Sequence, residues 1–213
     1  MKICCFSDKH GRNVKLPKAY MLIYAGDMTN IGTEEELEEF IDWLKSLNYT
    51  YKICIAGNHD RCLEYDRTRN ESPLLESFDF DYLNDTWIGR ESGFSIYGSP
   101  ITPPCFDWAF SLNDTQRELY WNKLYRLLPD ILITHTGPYG ILDQAYSGEH
   151  LGCRFLHKVV SEIRPKLHVF GHIHEAAGVI SLKQMVEERG GKWNEKDQNT
   201  IFVNAYEPVV VDI

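Results

Sequence analysis

Short apolar runs alternate along this chain with stretches in which apolar residues recur every three or four positions, the mixture expected of a layered α/β fold. Residues 2–6 and 21–25 are β-type runs, each followed by small or acidic residues. Thr33 with Glu36 three positions on is a capping box, and the acidic turn Glu34-Glu35-Glu36 suits a helix N-terminus. Leu37, Phe40, Ile41, Leu44 and Leu47 then fall on one face of the predicted helix. Residues 51–56 predict a buried strand broken at Gly57, whereas 61–86 show little periodicity and read as loops and turns framing a pocket rim. Further on come a strand over 94–97, a helix over 114–128 ended by Pro129, and a strand over 131–134. A second helix is marked by Leu151, Phe155, Val159 and Ile163 and halts before Pro165. Strands over 167–170, 179–182 and 201–203 complete the set, and the charged, Gly-containing stretch 183–199 reads as a solvated hairpin loop or insertion.

Composition narrows the class. A chain of 213 residues suits one domain, 1–213, with a substantial core. No apolar run is long enough to span a bilayer, and the start Met1-Lys2-Ile3-Cys4-Cys5-Phe6 reads as a first strand, not a secretory signal, so a cytoplasmic protein is expected. The six cysteines (Cys4, Cys5, Cys54, Cys62, Cys105 and Cys153) include no CxxC pair; they are expected to be reduced, and a thiolate zinc site is disfavoured. A net charge of −9 argues against extended duplex nucleic acid as a partner and fits a small phosphate ester or nucleotide better.

Candidate chemistry sits in five short motifs, each where a predicted strand gives way to a loop: Asp8-Lys9-His10, Gly26-Asp27, Gly57-Asn58-His59-Asp60, His135, and Gly171-His172-Ile173-His174. Ligands of open α/β sheets bind at such strand ends. Asp8 and His10, two residues apart in extended chain, can reach one ion from the same side, and His172 and His174 share that spacing. Asp27 can bridge two cations, and the amide oxygen of Asn58 is a hard ligand that suits Mn²⁺, Mg²⁺ or Fe²⁺ beside imidazoles. Each residue alone has an ordinary explanation as a turn former, a cap or a satisfied histidine. Together they supply enough donors for two cations with positions left for water and substrate, the usual clamp for displacement at phosphorus.

The order D-x-H, G-D, G-N-H-D, H, G-H-x-H resembles the calcineurin-like metallophosphoesterase superfamily. Ser7-Asp8-Lys9-His10-Gly11-Arg12, Ile55-Ala56-Gly57-Asn58-His59-Asp60, Tyr97-Gly98-Ser99-Pro100, Asp107-Trp108-Ala109-Phe110 and Leu167-His168-Val169-Phe170-Gly171-His172-Ile173-His174-Glu175 resemble its metallophosphoesterase-domain, brain-type subfamily more closely. The resemblance implies a four-layer α/β/β/α sandwich with mixed sheets. It implies a first cation on Asp8, His10 and His174, a second on Asn58, His135 and His172, and Asp27 between them. A hydroxide shared by the metals would attack phosphorus in line, and His59 would stabilise the transition state and protonate the leaving oxygen. Manganese is the expected metal, with iron, zinc or magnesium as alternatives. A nucleotide or other small phosphodiester is the expected substrate. The rivals are a nuclease acting on short or single strands and a non-catalytic nucleotide- or protein-binding module.

Some residues depart from the family pattern or stand outside it. Lys9 occupies a position where the family more often has Thr or a hydrophobe, and it is expected to point away from the metals. Thr136-Gly137-Pro138 replaces a more usual Gly-Pro-Pro-like turn. Either Asn30 or Asp60 is expected to orient His59. Arg12 is a candidate phosphate contact. Trp108 and Phe110 are read as core rather than as a base-stacking wall; His150, His157 and His168 are read as structural, Glu34 to Glu39 as a solvated helix face, and Asp79 and Asp81 as uninvolved.

Overall fold

A computed structural model describes residues 1–64, 80–89, 93–104 and 106–213. The strands form two mixed sheets. In the first, β1 (Lys2–Phe6), β2 (Met21–Ala25), β3 (Tyr51–Ile55) and β4 (Asp81–Tyr82) run parallel, and β11 (Val209–Asp212) lies antiparallel on the free edge of β1. In the second, β6 (Ser95–Ser99), β7 (Ile131–Thr134), β8 (Leu167–Phe170) and β10 (Ile201–Asn204) run parallel, flanked by antiparallel β5 (Thr86–Gly89) and β9 (Gly178–Ser181).

Strand alternation builds the layers. Ile3, Cys5, Ile23 and Ile55 of the first sheet share a buried cluster with Ile96, Ile133, Val169 and Val203 of the second, so this core lies between the sheets. The intervening residues face outward. Phe6, Leu22 and Tyr24 join Leu37, Phe40 and Leu44 of α1 (Glu34–Ser46), whereas α2 (Arg61–Glu64) is one short turn. On the far side Tyr97, Leu132 and Phe170 join Trp121, Leu124, Leu156 and Val160 from α3 (Asp114–Trp121), α4 (Leu124–Leu127) and α5 (Arg154–Ile163). The order is helix, sheet, sheet, helix.

Several elements differ from the expectation drawn from sequence. The helix expected over 114–128 is broken at Asn122 and Lys123 into α3 and α4, and Leu128 closes it in a left-handed conformation. The stretch 183–199 is not a hairpin loop at its start. Ser181 and Gln184 form a capping box that opens α6 (Leu182–Glu188), which is also why β9 stops at Ser181. Strand β11 has no counterpart among the predicted elements, although Val209-Val210-Val211 is a β-branched run. Within 61–86, expected to be loops, α2 and β4 are present, while 65–79, including Asp79, fall outside the described residues, as does Cys105. Cys4, Cys5, Cys54, Cys62 and Cys153 are free thiols. No described helix is long and apolar enough to cross a membrane.

Because these central strands run parallel within each sheet, the C-terminal ends of β1, β2 and β3 share one edge, as do those of β7, β8 and β10. A backbone hydrogen bond joins the two edges, from Ser7 N–H to the Ala205 carbonyl (2.9 Å), and Ala205 N–H in turn donates to the Phe170 carbonyl within the second sheet (2.7 Å). All five motifs open at this seam.

Candidate metal centre

Asp8, His10, Asp27 and His172 all adopt left-handed backbone conformations, with φ between 43° and 69°. This region is uncommon for residues other than glycine, though Asp and His enter it more readily than most. Its recurrence at four ligand candidates turns their side chains inward from strand ends. Two glycines need their lack of a side chain for room. A Cβ at Gly171 would overlap the Asp8 carboxylate, and one at Gly57 would overlap Asp27 and crowd the His135 ring.

The side chains converge. Asp8, His10 and His174 each offer a ligand atom within 4.8 Å of the others, as do His10, Asp27 and His59, and likewise Asp8, Asp27 and His135. Asp27 Oδ2 lies 3.5 Å from His10 Nε2, 3.3 Å from His135 Nε2 and 3.9 Å from His59 Nε2, so it is central to the cluster. Asn58 Oδ1 is 2.9 Å from His135 Nε2. His172 belongs to none of these groups. Its ring lies 5.1 Å from that of His135, and its backbone N–H donates to both Asp8 oxygens, at 3.2 and 3.1 Å.

Most of the rings are tethered to main-chain carbonyls. Nδ1 of His10 donates to Thr29 O (3.1 Å), Nδ1 of His59 to Asn30 O (2.6 Å), and Nδ1 of His135 to Ala25 O (2.9 Å). These bonds set the tautomers. With Nδ1–H of His135 committed, a neutral ring turns the Nε2 lone pair toward the Asp27 carboxylate and Asn58 Oδ1, two electron-rich oxygens. Lone pairs held at 3.3 and 2.9 Å repel unless a proton or a cation lies among them. Asp8 and Asp27 are both buried, and the groups facing them are imidazoles and backbone N–H rather than Lys or Arg. Buried carboxylates need compensating positive charge. The donor set therefore fits divalent cations.

The titration behaviour has the same cause. Burial alone would raise the Asp27 carboxyl, but His135, with His10 and His59, holds it well below the usual carboxylate range. Asp8 is likewise lowered against its burial by His174 and His135. Burial opposes charge on His135, yet Asp27 and Asp8 raise it to about 10; burial and the neighbouring His135 depress His172 to about 4. Without a cation, a proton on His135 offsets part of the carboxylate charge.

The neighbouring residues sort as follows. Asn30 orients His59, but through its backbone carbonyl. Asp60 does not touch the ring. Fully buried, it accepts from the N–H groups of Met28, Thr29 and Gly57 and from the Thr29 hydroxyl, tying the Asp27 loop to the Asn58 loop. Burial and then Asp27 push its carboxyl up to about 6. Arg12 is committed to the protein: its guanidinium donates to the Asp8 and Tyr206 carbonyls and lies 3.7 Å from Glu207. Lys9 lies over Trp43, away from the cluster, as expected. Phe110 is core, but Trp108 is half-buried with its ring 4.0 Å from that of His59, so it lines the site. His168 is structural: it meets Thr134 Oγ1 at 2.8 Å, and burial lowers its pKa to about 3. His150 is bound to Asp143 (2.6 Å) in the loop after Gly137.

Two contributors escape sequence reasoning. Glu36, expected on a solvated face, accepts from the N–H groups of Asn30, Ile31 and Gly32 at 2.9–3.2 Å and closes the loop that holds His59. Tyr206 stacks on His174 at 4.1 Å, and it follows the predicted strand 201–203 with no motif to mark it.

Residues 1–176 match the model of the calcineurin-like phosphoesterase family. The chain is 35% identical to metallophosphoesterase domain-containing protein 1 of Homo sapiens, over 98% of this chain and 68% of that protein. It is 33% identical to a UPF0046 protein of Caenorhabditis elegans, over 96% of this chain and 69% of that one. The crystal structure of TT1561 of Thermus thermophilus superposes with a TM-score of 0.62 over 97% of this chain and 90% of that one, at 12% identity, a likeness of fold.

Proposed function

Because this chain belongs to the calcineurin-like phosphoesterase family, we propose that it is a two-cation phosphodiesterase acting on a nucleotide or other small phosphodiester. The observation that carries the reading is the convergence of Asp27 Oδ2 and Asn58 Oδ1 on His135 Nε2, a position that a proton or a cation must fill and that supplies three donors to a cation. In this assignment Asp8, His10 and His174 would hold one ion, Asn58, His135 and His172 the other, and Asp27 would serve both. Such a pair supplies Lewis-acid stabilisation of phosphoryl charge and an activated water at neutral pH.

The chain's own contribution is positioning and proton transfer. His59 commits Nδ1–H to Asn30 O, which leaves Nε2 as the nitrogen that carries the exchangeable proton. That nitrogen stands beside Asp27, with the ring backed by Trp108, where it can donate to a departing oxygen. Among the described residues, the cationic side chains Arg12, Lys9 and Arg61 beside the motifs are already engaged, with carbonyls, on Trp43 and with Asp107 at 3.3 Å respectively. A long nucleic acid needs a track of free cations, so this favours a small ester.

The test compares a chromogenic phosphodiester with a chromogenic monoester, using metal-free protein to which Mn²⁺ is restored. The expected result is Mn²⁺-dependent turnover, greater on the diester, and lost by at least about 100-fold in His59→Ala and Asp27→Ala. Two bound cations without turnover of either ester would replace this reading with that of a binding module.

A further inference from the structure

Among the imidazoles around the cluster, His174 is the part-exposed one whose Nδ1 has no tether among the described residues; the ring of His172 is held by burial. His10, His59 and His135 each have Nδ1 pinned to a backbone carbonyl, whereas no hydrogen bond holds Nδ1 of His174 among the described residues. Nor does burial fix it, since its side chain is 39% exposed. Its Nε2 meets Asp8 Oδ1 at 3.3 Å, and the rotation of the ring about that contact is restrained by a flat face. The Tyr206 ring lies 4.1 Å away and within 14° of parallel. The Arg12 guanidinium lies 4.1 Å over the same phenol ring, and two flat groups at that distance cannot share one face, so Tyr206 is clamped between Arg12 and His174.

The clamp is anchored at both ends. Arg12 donates to the carbonyl of Asp8, another residue of the same subset, and to the carbonyl of Tyr206 itself. Tyr206 N–H donates to Asn204 Oδ1, and Asn204 Nδ2 donates to the carbonyl of Ile173, next to His174. The turn after β10 thus reaches the residues of the first-cation subset from both sheets, and it lies beyond the 1–176 stretch that matches the family.

We propose that Tyr206, clamped by Arg12, is a positioning residue that fixes the His174 ring for the cation held with Asp8 and His10. This rests on the two-cation reading above. Stacking takes the place of the hydrogen bond that usually orients a ligating imidazole, and removal of such support typically weakens metal binding about 10–100-fold.

The test is calorimetric titration of Mn²⁺ into the metal-free full chain, for wild type, Tyr206→Leu, Tyr206→Phe and Arg12→Met, with thermal midpoints recorded. The expected result is that Tyr206→Leu weakens one of two sites about tenfold or more and leaves the other within about twofold. Tyr206→Phe, which keeps the stacked ring, restores it, and Arg12→Met shifts the same site in the same direction. A purely structural role would lower the midpoint and move both sites together, for the Phe variant as well. Two wild-type affinities in a folded Tyr206→Leu protein would overturn the proposal; should that variant not fold, two wild-type affinities in Arg12→Met would do so. A wild-type chain that binds no cation would instead remove the two-cation reading on which the proposal stands.

Discussion

At the scale of single residues, His135 is where, in the proposed assignment, proton and cation would compete. In the metal-free chain its pKa stands at about 10, raised by Asp27 against the cost of burial, so at pH 7 the ring is protonated. A cation needs that Nε2 lone pair and must displace the proton. Cation affinity is therefore expected to rise with pH from neutrality toward about 10, and to fall as acid restores the proton. Adding Mn²⁺ to weakly buffered metal-free protein should release protons, about one fewer in His135→Gln than in wild type. Equal release from both would show that His135 is not in the coordination sphere. The neighbouring nitrogen, Nε2 of His59, stands 3.9 Å from Asp27, so in the proposed assignment the proton donor would lie beside the cation pair.

At the scale of elements, α1 does more than cover the first sheet. Its capping box uses the Glu36 carboxylate not only on the N-cap but on the N–H groups of Asn30, Ile31 and Gly32, and those bonds hold its pKa below the usual value against slight burial. The loop so closed presents the Asn30 carbonyl to His59. Glu36→Ala should cost about 1 kcal/mol of stability, as lost caps do, and should lower kcat more than KM because His59 loses its orientation. Equilibrium denaturation with steady-state kinetics checks both; an unchanged kcat would detach the cap from the site. The capping box itself is legible in sequence, because it is local. Its reach to Asn30 is not, since an acidic run on a helix looks the same whether its carboxylates meet solvent or a folded-back loop. The break between α3 and α4 escapes the sequence for the complementary reason: the apolar pattern continues through Asn122 and Lys123, whose dihedrals stay helical, while the hydrogen bonds there tighten from four-residue to three-residue spacing.

At the scale of the whole molecule, the ligand candidates divide between the sheets. Asp8, His10, Asp27 and Asn58 follow strands of the first, while His135, His172 and His174 follow strands of the second. Cations held by both would cross-link the sandwich at its seam. Saturating Mn²⁺, at about 100 times its dissociation constant, should stabilise the chain by about 2.7 kcal/mol and raise the thermal midpoint by roughly 5–10 °C for each site filled. A chelator should reverse the shift, and Asp27→Ala should abolish most of it. A midpoint indifferent to cations would mean that no strong site spans the sheets.

Most of the strands, the layered α/β class and the candidate ligand residues are readable from the chain alone, because alternation and strand-end motifs are local patterns repeated within a few residues, while the four-layer sandwich is what the family resemblance implies. Which partners hold those ligands is decided only by the tertiary structure. His59 is oriented by a carbonyl 29 residues away, and His135 by one 110 residues away. His174 is faced by the ring of Tyr206, which reaches it from the end of another strand. A backbone carbonyl carries no side-chain signature, and a tyrosine after a strand has no spacing to mark it. Their roles arise only when the two sheets bring distant strand ends to one seam.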